Sequence, residues 1–370
     1  MRFDNIVGQE KALNILKNAI KSDRIAQAYI FHGSSGVGKL LTAFSFAKAL
    51  NCLDSDTDIR PCNSCNSCKK IDKFIHPDIK FYFPIPNYDM DDDGVIKSKT
   101  EWEHCQKYVE TKMTAPWKNY NFEKVTAIRI EQIRALQKDI SMSRHEGRKK
   151  VYIFEDFDSL SVGATNAFLK TLEEPPPDTH FIFTVQSISK LLPTILSRCI
   201  TVEFHPISTD KIETFLLNKL YAEASKARLY ARLSNGNFEK AITLYHDDNL
   251  STMDATINFL EIALAHDDIA FLDWVEMYFA KNTKNADLFK DFVQYLYLWM
   301  SDLQMLTSAP DKVVFVNQIG LLKNFATKNT LFSEKTPKVL LELDDYLQKY
   351  HGNVNQKLIL SQIYASFTKL

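Results

Sequence analysis

The stretch His32–Leu41, HGSSGVGKLL, sets Gly33, Gly38 and Lys39 at the spacing G-x-x-x-x-G-K, with Gly36 between them. Only ten glycines occur in 370 residues and three of them stand here, so backbone freedom is concentrated in one loop. Upstream, AYIF (Ala28–Phe31) is a short apolar run of strand type that ends at the loop; downstream, LLTAFSFAKALNC reads as a helix. In that context successive backbone N–H groups converge at a helix N-terminus and cradle phosphate, with Lys39 reaching the outer phosphates. The next residue is Leu40, where a Ser or Thr hydroxyl would hold magnesium, and Thr42 lies two positions too far along to replace it. The stretch therefore predicts the fold of a phosphate loop. It leaves open whether ATP or ADP binds, and it argues against hydrolysis.

Working outward, Ala12, Ile15, Leu16, Ala19 and Ile20 recur at helical spacing ahead of the first strand. KKVYIFED from Lys149 and THFIFTVQ from Thr179 read as further buried strands, and SVGATNAFLKTLEEPPP between them as a helix stopped by Pro175–Pro177. Strands alternating with helices predict a parallel sheet covered on both faces. From about Ser208 the texture becomes helical: KIETFLLNKLYAEAS, DIAFLDWVEMYFA and KDFVQYLYLWMSDL each carry the helical period, and after Leu250 only Gly320, Gly352, Pro310 and Pro337 interrupt it. The last third is expected to be an all-α bundle.

The 45 basic residues against 46 acidic ones exclude a globally basic protein that coats nucleic acid unaided. No apolar run approaches the ~18 residues of a membrane span, and MRFDNIVGQE lacks the apolar core of a secretion signal. A soluble, cytoplasmic protein with no membrane partner is expected.

Cys52, Cys62, Cys65 and Cys68 follow the pattern C-x9-C-x2-C-x2-C, while Cys105 and Cys199 stand alone. Four thiolates converging on one tetrahedral Zn2+ would leave no open position, so such a site is structural; a set of buried or reactive thiols is the alternative. The second strand ends in IFEDFDSLS. A catalytic strand of this class places an Asp on magnesium and a following Glu to polarise water, but here Glu155 precedes Asp156. These acids are either an inverted, disabled pair or a solvent-facing cap on the sheet edge. Positional errors of ~1 Å can cost ~100-fold in rate.

Arg129–Lys150 holds seven basic residues against three acids. Ile130, Ile133, Leu136 and Ile140 would share one helical face, leaving Arg129, Arg134, Lys138, Arg144 and Arg148 exposed. Phosphate-backbone contact is one reading; a solvated helix face is favoured, since nothing aromatic is interleaved for base stacking. Asp89, Asp91, Asp93 and Gly94 begin like a calcium loop, but Thr100 stands where the bidentate glutamate belongs, so calcium is rejected. The role of the Tyr-, Trp- and Pro-rich stretch Phe83–Phe122 is not legible.

RIAQAYIFHGSSGVGK, the four-cysteine knuckle followed by HPD (His76–Asp78), NAFLKTLEEPP and LLPTILSRC together resemble the bacterial clamp-loader subunits of the DNA polymerase III holoenzyme. The likeness is strong over Phe3–Pro206 apart from the insertion, and weaker to NVNQKLIL near the C-terminus. It implies an AAA+ fold: an α/β P-loop domain over 1–207 with a zinc knuckle (52–68) and an insertion (83–124), a helical lid over 208–250, and an all-α collar over 251–370. It implies a hetero-pentameric ring with gamma/tau and delta subunits, which loads the sliding clamp onto primer-template DNA. Arg198 of the SRC motif would then be an arginine finger acting in a neighbour's ATP site, as a stator subunit offers it. Glu239 in SNGNFEKAI stands where active relatives carry an arginine facing the γ-phosphate. Two other readings are carried forward: a catalytically active ATPase of the same family, and a zinc-dependent DNA-binding module.

Overall fold

Three strands, rich in aromatic and β-branched residues, are buried throughout but for the half-buried His32: β1 (Ala28–His32), β3 (Lys150–Phe154) and β4 (Thr179–Val185). Two edge strands, β2 (Ile79–Tyr82) and β5 (Ile200–Glu203), complete a five-stranded sheet in the order β2-β3-β4-β1-β5. Every pairing is parallel; Ile30 of β1 lies opposite Phe183 of β4 and Thr201 of β5. A computed structural model describes residues 3–91, 93–114, 120, 122, 124–247, 250–280, 286–310, 313–328, 338–343, 345–346 and 356–369.

The chain forms two units. The first comprises residues 1–221 and 234–243, the second 222–233 and 244–370. In the first, α1 (Glu10–Lys21) and α2 (Lys39–Leu50) cover one sheet face, where Leu16, Phe46 and Val202 are fully buried. On the opposite face, α5 (Ile130–Ser141) and α6 (Val162–Glu173) bury Ile133, Leu136 and Phe168 against Tyr152, Phe181 and Phe183. Helix α6 starts where Ser161 Oγ accepts the Ala164 N–H and ends before the three prolines. The parallel sheet covered on both faces, which the alternation of strands and helices predicts, is thus realised. The short helix α3 (Asn66–Asp72) belongs to the knuckle, and α4 (Lys99–Thr114) to the insertion. The insertion is pinned at its base by reciprocal N–H···O bonds between Ile85 and Ala127, of 3.1 and 3.0 Å. After it come α7 (Pro193–Leu196) and α8 (Thr209–Leu220).

KIETFLLNKLYAEAS is not one helix, as its period predicts. Tyr221 takes a left-handed conformation (φ 56°) that ends α8, and α9 (Ala224–Leu233) begins afresh. Helices α10 (Phe238–Asp247), α11 (Ser251–Ala265), α12 (Asp268–Val275), α13 (Ala286–Ser308), α14 (Ile319–Lys328) and α15 (Gln356–Thr368) follow. The second unit is helical and packs one core around Phe259, Trp274, Phe292 and Trp299. Gly352, Pro337 and Asn353–Asn355 of the NVNQKLIL motif lie outside the described residues.

Candidate functional site

The loop Gly33–Lys39 has the geometry its glycines predict. Gly36 (φ +70°) and Gly38 (φ +90°) adopt conformations that L side chains rarely take, and a Cβ on Gly36 would lie 1.7 Å from Asn237 Oδ1. The Gly36 carbonyl accepts the Phe238 N–H at 2.8 Å, which seats the start of α10 on the loop and brings Glu239 into the pocket wall. The Lys39 side chain is buried and turned back on its own loop, donating to Gly33 O at 2.7 Å and Ser34 O at 2.5 Å. Burial lowers its pKa, while Asp156 and Glu239 nearby act in the opposite sense. Thr42 Oγ1 is spent on the Gly38 carbonyl at 2.8 Å, so it supplies no replacement for the hydroxyl missing at Leu40.

Beside this loop lies a cavity of about 280 Å³. Its floor is the end of β3: Glu155 is buried and Asp156 follows in a left-handed conformation (φ 47°), its N–H donating to Thr184 Oγ1 at 3.2 Å. The solvent-facing reading of Glu155 is therefore corrected. Its carboxylate is sequestered because the insertion lies over it. Tyr108 donates its hydroxyl to Glu155 Oε2, and Lys112 Nζ stands 3.0 Å from Glu155 Oε1. Burial, then the charges of Glu155 and Asp158, push the Asp156 carboxyl up to about 6. Burial likewise raises Glu239. This crowding of carboxylates is offset by two ammonium groups, those of Lys39 and Lys112. Magnesium does not fit these residues. The loop lacks its hydroxyl ligand, and the carboxylate that would take the metal is already paired with the Lys112 ammonium and hydrogen-bonded by Tyr108.

The cysteine quartet does converge. The Sγ atoms of Cys52, Cys62, Cys65 and Cys68 all lie within 4.8 Å of one another, as ligands of one tetrahedral ion must, since Zn–S bonds of ~2.3 Å imply S···S separations of about 3.8 Å. Backbone N–H groups of Cys62, Cys65 and Cys68 donate at 3.4 Å to the sulfurs of Cys52, Cys62 and Cys65 respectively, an arrangement that stabilises thiolates. Burial alone would raise Cys62, but donation from Ser64 and the Cys65 amide brings it down to about 6. These donors fit a closed metal site. Among the described residues no other His, Cys, Asp or Glu group converges in this way.

Residues 8–208, more than half of the chain, match the family model described as DNA polymerase III, delta subunit. The chain belongs to that family. It is 28% identical to DNA polymerase III subunit delta' of Bacillus subtilis, over 96% of this chain and 94% of that protein. It is 26% identical to subunit tau of the same organism, over 95% of this chain but 58% of tau, and 24% identical to subunit gamma of Buchnera aphidicola, over 97% and 88%. No helix among the described residues is long and apolar enough to cross a membrane.

The motifs singled out in the sequence fall in distinct places. Arg198 is exposed at the end of α7 and is not part of the cavity lining. Its guanidinium donates to Thr194 O at 2.9 Å and pairs with Glu173 at 3.3 Å, the first glutamate of LEEPP. The HPD motif is architectural. Asp78 accepts the N–H groups of His145, Glu146 and Gly147 at 2.8, 2.9 and 2.6 Å, tying the start of β2 to the loop before β3. In the basic segment, Ile133, Leu136 and Ile140 are buried while Arg134, Lys138, Arg144 and Arg148 are exposed, as the period predicts. Arg129 differs: it is half-buried, with its Nε enclosed. Lys138 and Arg144 are paired with Asp93 and Asp178. Tyr108 and Lys112, the pocket residues that engage Glu155, escaped sequence reading. The one signal for them is their i, i+4 spacing on a helix inside the insertion.

Proposed function

We propose that this chain is a clamp-loader subunit of a bacterial DNA polymerase III holoenzyme, a delta'-like stator that hydrolyses little or no ATP itself and gives Arg198 to a neighbouring ATPase subunit. The observation that carries this reading is the position of Arg198: exposed and held by Glu173 and Thr194, outside the chain's own phosphate pocket. A guanidinium that does not line its own subunit's phosphate pocket has no phosphoryl group to act on there. Placed on a transferring phosphoryl group in trans, it would offset developing charge, a contribution worth ~10³-fold or more in related NTPases. The pocket supports the same division of labour, because Leu40 and the engaged Glu155 leave it without the groups that position a metal and a water.

In this reading gamma/tau and delta subunits complete a hetero-pentameric ring, and the ring acts on the sliding clamp and on primer-template DNA. The four cysteines hold one structural Zn2+ that keeps the 52–68 knuckle folded. The test is ATP hydrolysis by a reconstituted loader. The lone chain should show background turnover. Adding it to gamma/tau and delta should raise DNA-stimulated hydrolysis, and Arg198→Ala should lower that rate by about 10³ at the site it serves while the ring still elutes as one species. Intrinsic turnover lost on changing Lys39 would instead establish the active-ATPase reading.

A further inference from the structure

We propose that the 83–124 insertion supplies the phosphate pocket with a resident cation: the Lys112 ammonium takes the place of a divalent metal on Glu155 and closes the pocket to a metal–nucleotide complex. The argument begins with what fixes α4. Its base is the Ile85–Ala127 bridge. Above it Tyr108 is sandwiched between two rings, stacked on Phe83 at 4.3 Å and on Phe122 at 5.6 Å between centroids. Tyr108 and Lys112 are one helical turn apart, so a face held by the ring stack must also present Lys112 to the same target.

That target is Glu155, and each of the two groups takes one of its oxygens. The Lys112 Nζ lies 5.4 Å from the Tyr108 ring centroid, which adds a cation–π contact. Both side chains are deeply enclosed, and the Lys112–Glu155 pair is nearly sealed from solvent, with 13% and 11% of the side chains exposed. Lys112 remains an ammonium there: burial favours losing the proton, but Glu155 beside it outweighs burial and raises its pKa. A divalent ion on the same carboxylate would meet a fixed positive charge within a few ångströms in a site of low dielectric, and would have no hydroxyl partner at Leu40. A singly charged group built into the chain thus does electrostatically what a metal does in an active pocket, offsetting Glu155, Asp156 and Glu239, while offering no Lewis acidity and no metal-bound water.

The inference rests on reading the pocket as a nucleotide site and is independent of Arg198; the experiment is chosen so that the two fail separately. The full chain is titrated with Mn2+, with ADP present, and bound ion is read by electron paramagnetic resonance. Wild type and Glu155→Gln should bind Mn2+ alike, since Glu155 holds no metal. Lys112→Ala should gain one site at least about ten-fold tighter than the background, equivalent to ~1.4 kcal/mol, and Lys112→Ala/Glu155→Gln should lose it. Lys112→Arg, which keeps the charge, should match wild type. An Mn2+ site in wild type that vanishes in Glu155→Gln overturns the proposal, as does a folded Lys112→Ala chain that gains nothing. A measurement needing no variant covers the case in which Lys112→Ala does not fold: amine labelling read by mass spectrometry. Lys112 should stay protected with and without millimolar magnesium and ADP, and magnesium-dependent labelling at Lys112 refutes the resident cation. None of these readouts involves a partner subunit, so a failed Arg198 experiment leaves them intact.

Discussion

Replacing Asp156 by Asn should stabilise the protein at neutral pH and do almost nothing in acid. The carboxyl sits at the end of β3, mostly enclosed, with Glu155 and Asp158 for neighbours; Lys39 and Lys112 only partly offset them. Its pKa rises from an ordinary 3.8 to about 6 in the fold. Between those values the folded state binds the proton more readily than the unfolded chain, so stability falls as pH climbs through the window and the full penalty is present above it. The displacement corresponds to about 3 kcal/mol at pH 7.5. Asn is the apt substitute, being nearly isosteric and tolerant of the left-handed backbone found here (φ 47°). In a unit of this size the gain amounts to about 6–12 °C in Tm. The assay is unfolding of wild type and Asp156→Asn side by side from pH 4 to pH 7.5. Protonation of the cysteine quartet affects both chains and cancels in the difference. An Asn variant less stable than wild type at pH 7.5, or a difference that does not shrink toward pH 4, would refute the reasoning.

Asp78 carries the opposite sign. Its three backbone N–H donors outweigh burial and hold the carboxyl below its usual range, so its contribution is present at neutral pH and lost in strong acid; Asp78→Ala should cost about 3 kcal/mol in urea unfolding at pH 7. For the knuckle, the purified chain should carry one equivalent of zinc by elemental analysis, and a chelator should release it, lower Tm and render all four thiols of Cys52, Cys62, Cys65 and Cys68 reactive toward a disulfide reagent. Metal-free protein with those thiols already reactive would remove the zinc site.

The sequence was most legible where local chemistry and global placement coincide. β1, β3 and β4 are buried on both faces, so their apolar runs announced them, and the glycine loop carries its backbone requirements in its composition. The edge strands left a fainter mark. Three of the four residues of β5 are exposed and all four of β2 are half-buried, so neither needs an apolar run and neither was anticipated. The cysteine spacing specified a cluster because two C-x2-C steps constrain geometry locally, whereas HPD gave no hint that Asp78 caps a loop nearly seventy residues away.

The pocket shows why motif reading stops short of chemistry. Leu40 and the order Glu155–Asp156 reveal that parts are missing or displaced, but not what replaced them. A carboxylate such as Glu155 remains buried only if something compensates its charge, and the compensating Lys112 lies on a mostly polar helix, Lys99–Thr114, inside an insertion with no recognisable motif. A motif defines what a pocket would need for catalysis; its neighbours in space decide whether that need has been met by another group. Here Lys112 and Tyr108 each engage one oxygen of Glu155, so the contacts that satisfy this carboxylate act on the same atoms a metal bound to it would use.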